Sequence, residues 1–346
     1  MKKTTLLALL ALVLASCSEQ KSQPKEVEKI VLAYVTSHES RQMPDPTLMT
    51  HINYAFGVMN DSCDGVIIQN PEKLRKVVAL KSQNPELKVM LSIGGWGAGG
   101  FSEMAIDPVK RANFVANCLD ITNEFGLDGI DMDWEYPTSS SSGIHSDPSD
   151  TDNFTALIKE LRAALGQSKL VTFASVATAK YVDFKAVEPY LDFINLMTYD
   201  ISQAAKGFHH SPLYKGKKST YSTEESVAEH IALGIPKEKI VVGVPFYGRG
   251  NTERGFGDFV NISDFAELFK DYELLWDDEC KVPYYGHSLE PELIVCSFEN
   301  EKSLQIKCQY IKDNNLRGVM YWAYGSEGKG APLSVALNNY MGDSKN

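Results

Sequence analysis

Residues 127–136 read L-D-G-I-D-M-D-W-E-Y, with acidic and apolar residues alternating from Ile130 onward. A strand turns successive side chains to opposite faces, so Asp131, Asp133 and Glu135 share one face while Ile130, Met132 and Trp134 share the other. Carboxylates two apart on a strand sit roughly 6.5–7 Å from each other. Three acids that close repel one another, and at least one keeps its proton to a higher pH than a free carboxyl does. A carboxylic acid still protonated near neutral pH is what general acid catalysis requires. Two other readings compete. Alternating acids can mark the wet face of an antiparallel sheet, and Asp and Glu oxygens suit calcium or magnesium. The first fails if the strand lies in a sheet covered on both sides. The second lacks the Asn-, Gly- and carbonyl-supplying loop that such sites draw on.

Outward from this strand, short apolar or β-branched runs recur at 30–35, 52–58, 88–93, 170–176, 193–199, 240–246 and 318–322. Amphipathic helical patterns lie between most of them. Phe114, Val115, Cys118, Ile121 and Phe125 form one stripe at helical spacing, and Phe154, Leu157, Ile158, Leu161 and Leu165 form another, which Asp150 or Thr151 can cap. Strands alternating with helices eight times in one chain define a closed (β/α)8 TIM barrel. A doubly wound open sheet is the competing arrangement, but no G-x-G-x-x-G follows the first strand. Two connections break the rhythm. The Ser-rich stretch 137–150 follows directly on the acids, which places it at the carboxyl end of a strand, where barrel enzymes build their sites. The stretch at about 250–298 is too long for one turn and carries its own aromatic runs, so it reads as a small α+β insertion between the seventh and eighth strands.

The chain has 346 residues, 43% apolar and 23% charged, which is an ordinary globular composition with room for a large core. A formal charge of −11 argues against nucleic acid, which attracts basic surfaces. No interior stretch approaches the roughly 18 continuous apolar residues of a membrane span. The N-terminus differs. Lys2 and Lys3 precede an apolar run over 6–14, and Leu14-Ala15-Ser16-Cys17 resembles a bacterial lipobox, where cleavage precedes a Cys that receives lipid. Residues 1–17 are therefore expected to be a lipoprotein signal with Cys17 as the lipidation site, with an ordinary signal peptide as the alternative. Residues 18–29 are expected to be a flexible tether and 30–340 the barrel. The localisation expected is a cell-envelope membrane, held through the lipid. Of the remaining cysteines, Cys118 lies on an apolar helix face, and Cys280 and Cys296 could bridge in an exported protein. No C-x-x-C spacing suggests zinc.

Asp128-Gly-Ile-Asp-Met-Asp-Trp-Glu135 resembles the D-x-x-D-x-D-x-E signature of the family 18 glycoside hydrolases, the chitinase family. Leu91-Ser-Ile-Gly-Gly-Trp96 is similar to the S-x-G-G motif on its third strand, and Leu196-Met-Thr-Tyr-Asp200 to the M-x-Y-D end of its sixth. Val244-Pro-Phe-Tyr-Gly-Arg249 and Gly318-Val-Met-Tyr-Trp322 match its seventh and eighth strands. The likeness runs in order over about 30–334.

The resemblance implies retaining hydrolysis of β-1,4 links between N-acetylglucosamine units, assisted by the substrate. Glu135 would protonate the glycosidic oxygen, and the sugar's own 2-acetamido oxygen would be the nucleophile. Asp133 would orient the acetamido N–H, Asp131 would tune Asp133, and Tyr199 would donate to the acetamido carbonyl. Trp322 would floor the reacting sugar, with a plain core Trp as the alternative. Asp200 and Arg249 would be polar partners of the sugar, with a structural ion pair as the alternative. Tyr34, Phe56 and Ser92 would sit beneath the acids, Tyr34 and Ser92 as hydrogen-bond partners. Gly95, Trp96, Tyr136 and Met197 complete the substrate-binding set. Trp134 has the wrong parity for the interior and is expected to lean towards the loops. His209-His210 points in two directions with no third ligand evident, so no metal is expected, and no cofactor. The short stretch 201–207 lacks the His-Gly and Trp that many chitinases carry there, which bears on the leaving-group side. An endo-β-N-acetylglucosaminidase cutting the chitobiose core of N-glycans would share these acids, and a sugar-binding protein on a dead barrel would lack Glu135.

Overall fold

The computed structural model describes residues 28–38 and 42–342. The signal and Cys17, and all of the tether except Glu28 and Lys29, lie outside them. The strands are β1 (Ile30–Thr36), β2 (His51–Met59), β3 (Val66–Ile68), β4 (Lys88–Gly94), β5 (Gly129–Asp133), β6 (Leu170–Val176), β7 (Phe193–Met197), β8 (Ile240–Pro245), β9 (Tyr247–Gly250), β10 (Phe259–Asn261), β11 (Glu273–Asp277), β12 (Val282–Gly286), β13 (Cys296–Ser297) and β14 (Gly318–Trp322). The helices are α1 (Pro71–Ala79), α2 (Phe101–Ala105), α3 (Pro108–Phe125), α4 (Asp150–Leu165), α5 (Phe184–Val187), α6 (Thr223–Ala232), α7 (Phe265–Leu268), α8 (Glu301–Asp313) and α9 (Pro332–Met341).

Parallel pairing runs β1-β2-β4-β5-β6-β7-β8-β14 and returns to β1, with Ile30 opposite Gly318 and Leu32 opposite His51. The sheet is closed, which settles the barrel against the open doubly wound sheet. Side-chain alternation splits each strand between two apolar layers. Ile30, Leu32 and Tyr34 face inward with Met90, Phe193, Val241 and Met320. Val31, Ala33 and Val35 face outward into the larger core beneath the helices. Burying each such large apolar side chain contributes roughly 1.5–3 kcal/mol.

The predicted stripes are helices with the expected faces inward. α3 starts on an Asp107 cap whose side chain accepts from Val109 and Lys110 N–H, and stops at Gly126 in the left-handed region (φ 67). α4 departs from expectation, because its cap is Ser149, without a side-chain bond. Asp150 is instead buried inside the first turn, where it accepts from Ser102 Oγ (2.8 Å) and from the backbone N–H of Asp147 (2.8 Å) and Thr138 (3.1 Å). It thereby ties both ends of the Ser-rich connection together. The insertion is a five-stranded antiparallel sheet, β10-β9-β13-β12-β11, with α7 packed on it. The Cys280–Cys296 bridge is absent, and all five cysteines among the described residues are free thiols. Among these residues no helix is long and apolar enough to cross a membrane.

Candidate active site

β5 carries Asp131 and Asp133 on its inward face, and Glu135 follows just past its carboxyl end. All three are buried, but their company differs. Asp131 lies in a ring of four donors: Ser92 Oγ (2.8 Å) and the Tyr34 hydroxyl (2.9 Å) reach Oδ2, while Thr172 Oγ1 (2.5 Å) and Asn195 Nδ2 (3.0 Å) reach Oδ1. The register explains the ring, since Ser92, Asp131 and Thr172 are direct partners across β4, β5 and β6. Burial pushes the Asp131 carboxyl above its usual range, and the four donors pull the other way.

Asp133 has no such ring. Its Oδ1 is buried and without a hydrogen-bond partner among the described residues. Burial first, then the charges of Glu135 and Asp131, drive its pKa well above the usual carboxyl range. Burial also lifts Glu135 to about 7, with the Asp200 charge adding to it and the neighbouring Tyr136 hydroxyl opposing. The repulsion expected from the alternation acts on Asp133, behind burial as the larger cause, whereas for Glu135 burial is joined by the charge of Asp200. The Ser-rich connection contributes Ser142, whose hydroxyl donates to the Glu135 carbonyl (2.7 Å). At the end of β4, Gly95 N–H donates to the Asp133 carbonyl (2.9 Å). Gly94 holds φ +131, and a Cβ there would lie 2.0 Å from that same carbonyl oxygen, so only glycine lets the two strands approach so closely.

Above the acids opens a cavity of about 840 Å³. Glu135, Asp133, Tyr199, Tyr34, Phe56, Trp96, Tyr136, Met197, Asp200, Arg249 and Trp322 all line it. Asp131 and Ser92 lie beneath it, and Gly95 packs under the Phe56 ring. Trp322 stacks on Phe56 (5.4 Å between centroids, 18°) and leans on Tyr34 (5.7 Å), which leaves a supported ring on the cavity floor. The Tyr199 hydroxyl reaches the Met320 sulfur at 3.9 Å. Its pKa is pushed well up by burial and the surrounding acids, so it stays a donor. Trp134 does not lean towards the loops. It is wholly buried outside the barrel, stacked on Phe101 (5.5 Å, 15°) and edge-on to Phe154.

Asp200 and Arg249 form a two-pronged ion pair. Tyr247 hydroxyl (2.8 Å) and His210 Nδ1 (3.2 Å) also reach Asp200 Oδ1, and Arg249 continues to Asp258. Burial alone would raise the Asp200 carboxyl, but His210 and Arg249 hold it well below its usual range. The pair thus bonds internally and still faces the cavity. His210 is held in turn by its own segment, because Lys307 Nζ, paired with Glu299, donates to Ser211 O and Oγ (2.7 and 2.8 Å). His209 points the other way, between Ser297 (3.2 Å) and Asp277 (3.2 Å). Contrary to the sequence reading, further ligand-type atoms do lie near it: His209, Asp277 and Cys280 come within 4.8 Å of one another. Burial pushes the Cys280 thiol up to about 12. Sequence reasoning missed Thr172, Asn195 and Tyr247, as well as Thr220 and Tyr221, which line the cavity, and it named His210 without its role at Asp200. Only Tyr247 carried a signal, as the Tyr of the Tyr-Gly-Arg motif.

A buried carboxylic acid lifted to about 7, beside an unpartnered acid and above an aromatic floor, is an arrangement that suits acid-catalysed glycoside hydrolysis. Residues 30–327 match the model of the glycosyl hydrolases family 18, and the chain belongs to that family. It is 30% identical to chitinase A1 of Niallia circulans over 89% of this chain and 48% of that protein. Chitotriosidase-1 of Mus musculus is 31% identical over 80% of this chain and 67% of that one. The chain therefore spans about half to two thirds of these relatives. A family 18 N-acetylglucosaminidase structure from Paenibacillus barengoltzii superposes with TM-score 0.79 at 33% identity, covering 90% of this chain and 100% of that one.

Proposed function

We propose that the protein hydrolyses β-1,4 links between N-acetylglucosamine units in chitin or chito-oligosaccharides, with retention and with the substrate's acetamido group as nucleophile. The observation that carries this reading is the contrast among three stacked acids. Asp131 is saturated with donors, Asp133 keeps a free buried oxygen, and Glu135, at the cavity wall, is lifted to about 7. An acid at the cavity wall that keeps its proton to about 7 suits protonation of the leaving oxygen. The free Asp133 oxygen suits an acetamido N–H, and the Tyr199 hydroxyl beside it suits the acetamido carbonyl, holding that oxygen under the anomeric carbon. Glu135, once ionised, then takes the proton from the water that opens the intermediate. The relatives' names, chitinase and chitotriosidase, point to the same substrate class. The test is incubation with chitotetraose and, separately, with a high-mannose glycoprotein, with products read by mass. Chito-oligosaccharide products support the reading, and turnover of the glycoprotein alone overturns it in favour of N-glycan cleavage.

We also propose that Cys17 anchors the protein to a cell-envelope membrane. Support comes from the basic, apolar and Leu-Ala-Ser-Cys order of the first residues. β1 begins at the amino end of the barrel, opposite the cavity, so an anchor joined there leaves the cleft open to solvent. Metabolic labelling with an alkynyl fatty acid should tag the wild type and miss Cys17→Ala; equal labelling of both would refute it.

A further inference from the structure

Phe259 opens β10 and is 42% exposed, an aromatic ring left in water on the wall of the catalytic cavity. Alternation accounts for its direction. The next residue, Val260, points into the insertion's own core, so Phe259 points out of it. The ring is not loose. It stacks nearly parallel on Tyr247, 4.5 Å between centroids at 17°. Tyr247 is buried and fixed by its hydroxyl to Asp200. β10 pairs with β9 so that Phe259 lies opposite Arg249, and the preceding Asp258 is ion-paired to that same guanidinium. One face of Phe259 is thus backed by a rigid ring, its surroundings carry a carboxylate and a guanidinium, and the rest is open to the cavity. Single exposed apolar residues are common on surfaces and need no explanation. A backed aromatic face with polar groups around it, continuous with a sugar-sized cavity, is a different object, because the apolar face of a pyranose stacks on such rings while its hydroxyls bond around them.

Its place in the barrel says which sugar. Trp96 follows β4 and Tyr247 follows β8, strands four apart in a ring of eight and so on opposite walls. The general acid must stand beside the leaving oxygen. Tyr136 follows Glu135 directly in the chain, and Trp96 lies edge-on to the Tyr136 ring at 6.3 Å. That wall is the leaving-group side, and the Phe259 wall is the other. Resting on the hydrolase reading above, we propose that Phe259, seated on Tyr247, is the stacking platform for the N-acetylglucosamine unit that precedes the reacting sugar on its non-reducing side, with Asp258 and Arg249 as partners of its hydroxyls.

The test uses the full chain and 4-methylumbelliferyl glycosides carrying one, two or three N-acetylglucosamine units, where the leaving group is constant and only the non-reducing side grows. For Phe259→Ala, kcat/KM should fall about tenfold on the two- and three-unit reporters, roughly 1.4 kcal/mol, with the one-unit reporter unchanged. Phe259→Trp should restore the longer reporters, and Phe259→Leu, apolar without a flat face, should not. Equal values for Phe259→Ala and wild type on every length would overturn the platform, as would an equal loss on all three. Wild type that turns over none of the reporters counts against the hydrolase reading instead. Chitotriose binding by calorimetry, in Glu135→Gln with and without Phe259→Ala, then still decides: about tenfold weaker binding supports the platform and equal binding removes it.

Discussion

Replacing Glu135 by Gln should abolish turnover and, at alkaline pH, make the protein more stable. The residue is 9% exposed, and burial lifts its pKa from an ordinary 4.5 to about 7. The unfolded chain releases that proton near 4.5, whereas the folded chain holds it until about 7. The folded state therefore loses stability as pH rises between those values, and above about 7 the full penalty of a buried carboxylate is present, roughly 3 kcal/mol. Gln has the same shape and nothing to ionise. It also removes the charge that raises Asp133, which acts in the same direction. In a chain of this size the gain corresponds to a Tm rise of about 5 °C. The assay is thermal unfolding of wild type and Glu135→Gln at pH 4.5 and at pH 8.5, with chitotetraose turnover alongside. The variant should melt about 5 °C higher at pH 8.5 and nearly level with wild type at pH 4.5, with turnover down at least about a hundredfold. A variant no more stable at pH 8.5 than at pH 4.5, relative to wild type, would refute the claim that burial holds this proton.

Thr172→Val keeps the shape but removes one of four donors to Asp131, which favours the protonated form. The acidic limb of the kcat/KM profile should then move up by about one pH unit, while the alkaline limb, set by Glu135 near 7, stays in place; a stationary acidic limb would show that Thr172 does not tune the acids. Gly95→Ala would place a Cβ 2.7 Å from the Phe56 ring at φ +96. It should cost about 1–3 kcal/mol in denaturant unfolding and lower turnover by pushing Phe56 up under Trp322; wild-type values for both would contradict that packing.

The strands were legible because a parallel sheet covered on both faces leaves few polar residues inside, and those few stood out: Asp131 and Asp133 among Ile130 and Met132. Thr172 and Asn195 were equally inward and equally buried, yet each is a neutral polar residue in a mostly apolar run. Only the register that sets Thr172 opposite Asp131, and the closure that brings Asn195 across, gives them meaning. Trp134 had its parity read correctly, but the partner that claims it, Phe101, belongs to a helix distant in the chain. The two histidines do point apart, His210 to Asp200 and His209 to Asp277, though Asp277 sits in the insertion and could not be placed from spacing. The antiparallel order of that insertion was not legible either, since β9 pairs with β13 across some 45 intervening residues whose turns carry no fixed pattern. The missing Cys280–Cys296 bridge has the same origin, because pairing depends on distances that composition does not hold.

The nucleophile is the centre of the account, and one series addresses it: aryl N-acetylglucosaminides whose acetyl group carries zero, one, two or three fluorines. An acetamido oxygen that attacks the anomeric carbon grows less nucleophilic with each fluorine, so the rate should fall steeply along the series. A flat series would contradict the account and assign the attack to a protein carboxylate such as Asp133.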